Sequence, residues 1–481
     1  MKSLWTKAEL DHLFHTDVTI KKQIKGLSID TRTLQEGDLF VALKGPVADG
    51  HDYIEKAFQS GATAAIVERQ PKGVDVSKMC LQVRDSFAAL RQLAVYSRSR
   101  TRACIAGVTG SYGKTSCKDA LYQLLSRQGK THATKSSFNN HWGVPLSLAG
   151  MRSETEFAIF EMGMNNPGEI KPLSLMVRPN VALITTIAAA HIGNMHSIRA
   201  IAEEKADIFE GMCSGSIAIL NEESAESDLL KKRALDKDLK ILTFGTGSRS
   251  FASLKSYYFN ETGLIVNAEI NGQALTYSLP VRQKHWAFSS LGVLATLSAM
   301  GADVAQAASD FQAYELPEGR GRRIEVPFKA GSITILDESY NAGPGSMQQA
   351  IESLQAVRPQ GAGRCIAILA DMLELGHHSK TEHQALAPLL EQAKVDLVFT
   401  LGTEIKALHD VLNAGTLAGH ADSNDDIEAL IEKILTRVQP GDVYLLKGSR
   451  GQRAYRGRLA RVVDALKKIE ILLPDLRAGG T

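Results

Sequence analysis

The sequence predicts an α/β protein of several domains, each built on a largely parallel sheet, and three features carry that prediction. Short apolar runs at residues 157–160, 181–187, 333–336, 365–369, 397–401 and 443–446 are mostly unbroken rather than alternating, as in strands covered by helices on both faces. Stretches with helical periodicity separate these runs, the order expected of α/β domains. The chain has 481 residues, 44% of them apolar, which is enough for about two to four domains that bury their own cores.

Composition narrows the function classes. The 55 Lys and Arg residues nearly balance the 53 Asp and Glu, for a formal charge of +2. Wrapping a nucleic-acid backbone normally needs a basic excess on one face, so no nucleic-acid partner is expected. Cys80, Cys104, Cys117, Cys213 and Cys365 are odd in number and far apart, without a C-x-x-C spacing for zinc or dithiol chemistry. They read as thiols in a reducing compartment. Lys7, Glu9, Asp11 and His12 interrupt the N-terminal apolar pattern, which argues against a signal peptide. The uncharged stretch 286–302 is diluted by Ser289, Ser290, Gly292, Thr296 and Ser298 and falls short of the roughly 20 apolar residues of a membrane span. A buried core helix and a cytoplasmic protein are therefore expected.

Two segments read as hinges. Residues 97–102, SRSRTR, form a polar basic run before the apolar strand 103–108, and residues 316–323, LPEGRGRR, contain Pro317, Gly319 and Gly321, which disfavour a continuing helix. They divide the chain into 1–101, 102–321 and 322–481, each of ordinary domain size. In parallel sheets ligands gather beyond the carboxyl ends of the strands. Glu161, Thr185, Asp337, Asp371 and Lys447 stand just there.

The strand 103–108 leads into Thr109-Gly110-Ser111-Tyr112-Gly113-Lys114-Thr115, and then into a helical face of Cys117, Ala120, Leu121, Leu124 and Leu125. Strand, glycine turn and helix form the context of a phosphate loop. Amides of the turn can surround phosphate oxygens, Lys114 can neutralise them and the Thr115 hydroxyl can ligate Mg²⁺. Val108 occupies the first glycine position of the common motif, and the glycines sit instead at 107, 110 and 113. A nucleoside triphosphate is expected.

GVTGSYGKT resembles the ATP loop of the Mur ligase family. Further blocks resemble it in the family's order: SIDTRTLQEGDLFVALKG (28–45), SFNNHWGVPLSL (137–148), FEMGMNNPGEI (160–170), the segment 188–211, LDESYNAGPGSM (336–347), LADMLELG (369–376) and LLKGSRG (445–451). The SYNA and DMLELG segments are similar to the branch that adds D-alanyl-D-alanine. The resemblance implies a small N-terminal α/β UDP-binding domain, a central P-loop ATPase-type domain and a C-terminal Rossmann-like domain. It also implies an ATP-dependent amide ligase that joins D-alanyl-D-alanine to UDP-N-acetylmuramoyl-tripeptide through an acyl phosphate, acting as a monomer in peptidoglycan precursor synthesis.

Site residues follow from the same resemblance. Lys114, Glu161, His191 and Lys205 would be catalytic, with Thr115 and Glu161 at one Mg²⁺ and His191 at a second. Lys205 would carry CO₂ as N6-carboxylysine. That chemistry needs a neutral amine, and only about one in a thousand is neutral at pH 7.4 for a pKa near 10.4, so the group's surroundings must depress it. Read alone, Lys205 beside Glu203, Glu204 and Asp207 is a solvated helix face with charge pairs. ATP contacts would come from Gly110, Ser111, Tyr112, Gly113, Lys114, Thr115, Ser289, Arg320 and Asp337. Ser28, Thr31 and Arg32, with Lys44, would meet the uridine diphosphate end, and Asn139 and Asn140 the sugar or peptide. Tyr340 and Asn341, with Lys447 and Ser449, would meet the nucleotide or dipeptide.

The chain departs from the family at three places. Ser289 stands where members usually carry an Asn that reads adenine. SYNAGP replaces SYNANP, so Gly343 lacks a side chain, and Ala370 replaces a Gly. Tyr112 is tolerated in the loop because the backbone does the binding. Two other readings remain at this point: a ligase adding a single amino acid, and a nucleotide-binding regulatory protein without turnover.

Overall fold

The computed structural model describes residues 2–470 apart from 16, 17, 19, 21, 47, 72–78, 136, 137, 190, 191, 355, 356, 358, 414, 423–425 and 450–456. Among the described residues, strands form three sheets. The first is parallel and four-stranded, running Gly26–Ser28, Asp38–Val41, Ala64–Val67 and Cys80–Gln82. The third is six-stranded, with Arg322–Phe328 antiparallel at one edge of the parallel strands Gly331–Glu338, Val443–Lys447, Cys365–Ala370, Leu397–Leu401 and Leu417–Ala421.

The second sheet has nine strands. Its parallel part runs Lys240–Gly245, Ile217–Asn221, Val181–Ile184, Cys104–Thr109, Phe157–Glu161 and Thr131–Ala133. From Cys104–Thr109 the chain passes to the far edge at Thr131–Ala133, returns to the adjacent Phe157–Glu161, then crosses to Val181–Ile184 on the other side. Three strand ends therefore open side by side where the strand order reverses, which is where such sheets bind ligands.

The apolar runs became strands because both faces are covered. Val181–Ile184 and Cys365–Ala370 are buried throughout. Helix Trp286–Ala299 is buried on most sides, and Gly292 lets it approach Phe244 and Leu183 of the sheet. No described helix is long and apolar enough to cross a membrane.

Two features differ from the sequence reading. Residues 97–102, expected to be a hinge, are instead anchored. Ser97 is buried and its hydroxyl donates to the Met151 carbonyl, Arg98 donates to the Val177 and Arg178 carbonyls, and Arg100 pairs with Glu9. Helix Ser86–Ser99 packs on helix Gly143–Ala149, so the first two segments share one core cluster. The second difference is an antiparallel meander, Ala252–Phe259, Leu264–Ile270 and Gln273–Leu279, at one sheet edge. Leu264, Val266, Ala268 and Ile270 alternate inward, the period-two signature of a sheet with one covered face.

Candidate phosphate and ligation site

The phosphate loop lies at the carboxyl end of the middle strand. Gly110 has φ +143° and a Cβ there would sit 2.0 Å from the Thr185 hydroxyl, so only glycine fits. The Thr185 hydroxyl in turn donates to the Tyr112 carbonyl at 2.6 Å, and the Ser111 hydroxyl accepts from Ala188 N–H and donates to the Ala188 carbonyl. These bonds fix the loop against the Val181–Ile184 strand end. Lys114 folds back, donating to the Gly110 carbonyl at 2.6 Å and the Ser111 carbonyl at 3.1 Å. Its pKa is held below the usual lysine value, first by burial and then by the Arg320 charge, with Glu161 opposing. An ammonium resting on carbonyls beside loop amides is poised for a polyanion.

Strand pairing sets Glu161 opposite Val108, just before the loop. Glu161 is 1% exposed, and Asn139 donates to one carboxylate oxygen at 2.7 Å while the other, Oε2, has no partner. A buried carboxylate oxygen left without a donor fits a cation. Thr115 is buried on the helix that starts at Lys114. His191, the third expected metal ligand, lies outside the described residues. Among the described residues no cluster of three His, Cys, Asp or Glu side chains could hold a metal by itself.

Lys205 is not on a solvated face. It is 1% exposed, and its Nζ has no hydrogen-bond partner. Burial and then the Lys114 charge push its pKa well below the usual value, against the opposing pull of Glu204, Glu161 and Glu169. The neighbouring Glu204 is also buried, its carboxylate accepting the Gly168 and Ile170 amides at 2.7 and 2.8 Å. That carboxylate caps helix Ile170–Val177 rather than pairing with Lys205.

The end of the second segment and the third segment pack against this face. Arg320 stacks 4.1 Å from the Tyr340 ring centroid. Asp337 is buried, with its oxygens accepting Gly319 N–H, Ser339 N–H and the Ser339 hydroxyl. Lys447, 3% exposed, donates to the Asn341 carbonyl at 3.0 Å and lies 3.5 Å from Glu338, and Ser449 donates to the Ala342 carbonyl. Ser289 lies beside the Cys117 thiol, whose pKa burial pushes up to about 12. The added methyl of Ala370 is accommodated against Gly448, which has no side chain to oppose it.

The remaining expected contacts lie elsewhere or are already engaged. Ser28, Thr31 and Arg32 cluster beyond strand Gly26–Ser28. Ser28 is buried, and the Arg32 guanidinium is exposed and paired with Asp30, which raises its pKa. Lys44 is exposed. Asn140 accepts the Trp142 and Gly143 amides and so caps a helix, while Asn139 orients Glu161. Residues missed from sequence are Thr134, whose hydroxyl accepts Glu161 N–H, and Lys118, which donates to the Thr134 carbonyl from full burial. Lys118 follows Lys114 by one helical turn, the only sequence signal available for it.

Family comparison fits this geometry. Residues 23–98 match the Mur ligase family catalytic domain, 108–297 the Mur ligase middle domain and 322–450 the Mur ligase glutamate ligase domain. The chain belongs to the Mur ligase family. This Mur ligase is 33% identical over 464 residues to the UDP-N-acetylmuramoyl-tripeptide–D-alanyl-D-alanine ligase of Rickettsia prowazekii, covering 96% of this chain and 99% of that one. The Bacillus subtilis ligase of the same name is 31% identical, with 89% and 91% covered. Among solved structures, MurF from Acinetobacter baumannii aligns with a TM-score of 0.78 at 27% identity over 98% of both chains. MurF from Thermotoga maritima in complex with ADP gives 0.73 at 27% identity, with 93% and 99% covered. The Mur ligase fold is the α/β architecture of mainly parallel sheets that the sequence predicts.

Proposed function

We propose that this Mur ligase is an ADP-forming amide ligase that joins D-alanyl-D-alanine to UDP-N-acetylmuramoyl-tripeptide in peptidoglycan precursor synthesis. The observation that carries the reading is the convergence of Lys114, Glu161 and Lys205 at the strand-order reversal, in a chain alignable end to end with ligases of that name. The tripeptide carboxylate attacks the γ-phosphate of ATP, giving an acyl phosphate and ADP. The dipeptide amine then attacks the acyl carbon, phosphate leaves and the amine proton passes to solvent. An α-amino group of pKa about 7.7–8.0 is roughly a third neutral near pH 7.5, so no dedicated strong base is required.

The chain's own groups hold and orient. Amides of Gly110, Ser111, Tyr112 and Gly113, the Lys114 ammonium and Arg320 bind the triphosphate, with Ser289 and Asp337 toward the nucleoside. Thr115 and Glu161 fit one Mg²⁺, and His191 is proposed for a second. Bound Mg²⁺ supplies positive charge against the transferring phosphoryl group. The Lys205 amine, depressed and without a partner, attacks CO₂ to form an N–C bond and release a proton, and the carbamate then faces the Lys114 side. Ser28, Thr31 and Arg32 take the uridine diphosphate, Asn139 and Asn140 the sugar or peptide, and Tyr340 and Asn341 the dipeptide. Segments 1–101, 102–321 and 322–481 are the corresponding domains of a cytoplasmic monomer.

The test supplies purified protein with ATP, Mg²⁺, UDP-N-acetylmuramoyl-tripeptide and either D-alanyl-D-alanine or single amino acids, and reads phosphate release and product mass. A pentapeptide product with the dipeptide alone is expected. No phosphate release with either acceptor refutes the ligase reading, and product with single amino acids refutes the dipeptide assignment.

A further inference from the structure

The side chain of Tyr112 takes no part in the phosphate contacts described above. It leaves the phosphate loop and packs against residues 343–345, at the start of helix Pro344–Leu354 in the third segment. Burial pushes its phenol up to about 12, with the nearby Gly345 backbone opposing the rise. Gly343 is buried and opens the helix: its carbonyl accepts Met347 N–H, and the Ser346 hydroxyl bonds both its N–H and its carbonyl.

Glycine at 343 is not required by backbone conformation, because its φ lies outside the left-handed region. Space explains it better. A Cβ at 343 would stand 2.9 Å from the Tyr112 hydroxyl and 3.4 Å from Cε1, whereas one at 345 would meet Cε2 at an ordinary 3.5 Å. The two positions singled out separately in the sequence, an aromatic residue in the loop and a missing side chain in SYNAGP, are in contact. The loop 340–343 is held on its other side by Lys447 and Ser449, which donate to the Asn341 and Ala342 carbonyls.

We propose that Tyr112 is a positioning residue, matched to Gly343, that fixes the dipeptide-binding loop over the phosphate loop. The proposal rests on the ligase reading above for the identity of that loop's substrate. Through this contact the backbone that grips phosphate also sets the register of Tyr340 and Asn341. Disturbing it alters dipeptide capture before it alters phosphate binding.

The experiment is a double-mutant cycle on full-length protein with Gly343→Ala, Tyr112→Phe and the pair, reading the KM for D-alanyl-D-alanine, kcat, ADP affinity and thermal unfolding. Gly343→Ala alone is expected to raise the dipeptide KM about tenfold, in the range of a one-carbon overpacking, with kcat and ADP affinity within about twofold. In the Tyr112→Phe background the hydroxyl is gone, so the same substitution is expected to change the KM by less than about twofold, the cycle exposing the coupling. If Gly343→Ala fails to fold while the double variant folds, the contact is equally supported. Equal cost in both backgrounds, no effect in the wild-type background, or misfolding of both variants overturns it. Wild-type protein that makes no product defeats the ligase reading instead, and the cycle is then decided by thermal unfolding alone: non-additive midpoints support the matched pair and additive ones overturn it.

Discussion

Replacing Lys205 by Met should stabilise the protein and abolish its chemistry. Lys205 is 1% exposed with an unpartnered Nζ, and Met fills a similar volume without needing a donor or acceptor. Removing a buried unsatisfied polar group recovers about 1–3 kcal/mol, and each kcal/mol raises the midpoint of a domain this large by about 2–4 °C. The pH dependence follows from the direction of the shift. Burial first, and the Lys114 charge second, hold the folded pKa well below its ordinary value. Between the folded value and the ordinary one, the unfolded chain binds a proton that the folded chain does not, so this lysine's destabilisation is fully present below the folded pKa and fades as pH rises toward 10.5. The slope is at most about 1.4 kcal/mol per pH unit. The assay is urea unfolding in CO₂-free buffer from pH 6 to 10, beside phosphate release. Lys205→Met should unfold later and lose that slope, while activity falls at least about 10²-fold. Bicarbonate should stabilise wild type and leave the variant unchanged. A variant less stable than wild type in CO₂-free buffer would refute the orphaned-amine argument, and one that keeps its turnover would refute the carbamate.

Three other perturbations test the rest of the site. Gly110→Ala places a methyl 2.0 Å from the Thr185 hydroxyl at φ +143°. Strain and overpacking together should cost about 2–6 kcal/mol in urea unfolding, with ADP binding lost in calorimetry. Glu161→Gln keeps an acceptor for Asn139 but removes the charge, so the Mg²⁺ concentration for half-maximal activity should rise at least about tenfold; an unchanged requirement would remove Glu161 from the cation site. Burial pushes His132 and His285 down to about 4, with Lys447 adding to the effect at His285. Both are neutral when folded and protonate more readily when unfolded, so stability should fall as pH drops from about 6.5 to 4. The slope should stay below about 1.4 kcal/mol per unit for each ring, because each takes up at most one proton. Unfolding midpoints flat across that range would contradict the burial.

Much of the fold was legible because it rests on contiguous sequence. Strands such as Val181–Ile184 and Leu397–Leu401 are covered on both faces and read as unbroken apolar runs. The phosphate loop was legible for the same reason, since strand, turn and helix are consecutive. Lys205 was harder, because residues adjacent in sequence do not share surroundings in a helix: Glu204 accepts amides 34 and 36 residues away, leaving the buried lysine amine without a hydrogen-bond partner. The arginines of residues 97–102 resembled a solvated linker, yet Arg98 reaches the carbonyls of Val177 and Arg178, and no local pattern announces a partner so distant. Thr134 and Lys118 act on Glu161 through backbone groups, which sequence does not display.

The near-neutral total charge conceals a local clustering of cations with a functional sense. Burial first and then the Arg320 charge lower the pKa of Lys114 and Lys447, and burial first and then the Lys114 charge lower that of Lys205, so four cations oppose one another around the loop. Glu161 and Glu338, with Glu204 and Glu169 at Lys205, offset part of this. Cations held close in a partly dry site raise its energy until an anion enters. A triphosphate opposes that repulsion at Lys114, Lys205 and Arg320 of the middle segment and at Lys447 of the third together. A uniformly basic surface could attract ATP as well, but it would not concentrate the electrostatic gain at one loop.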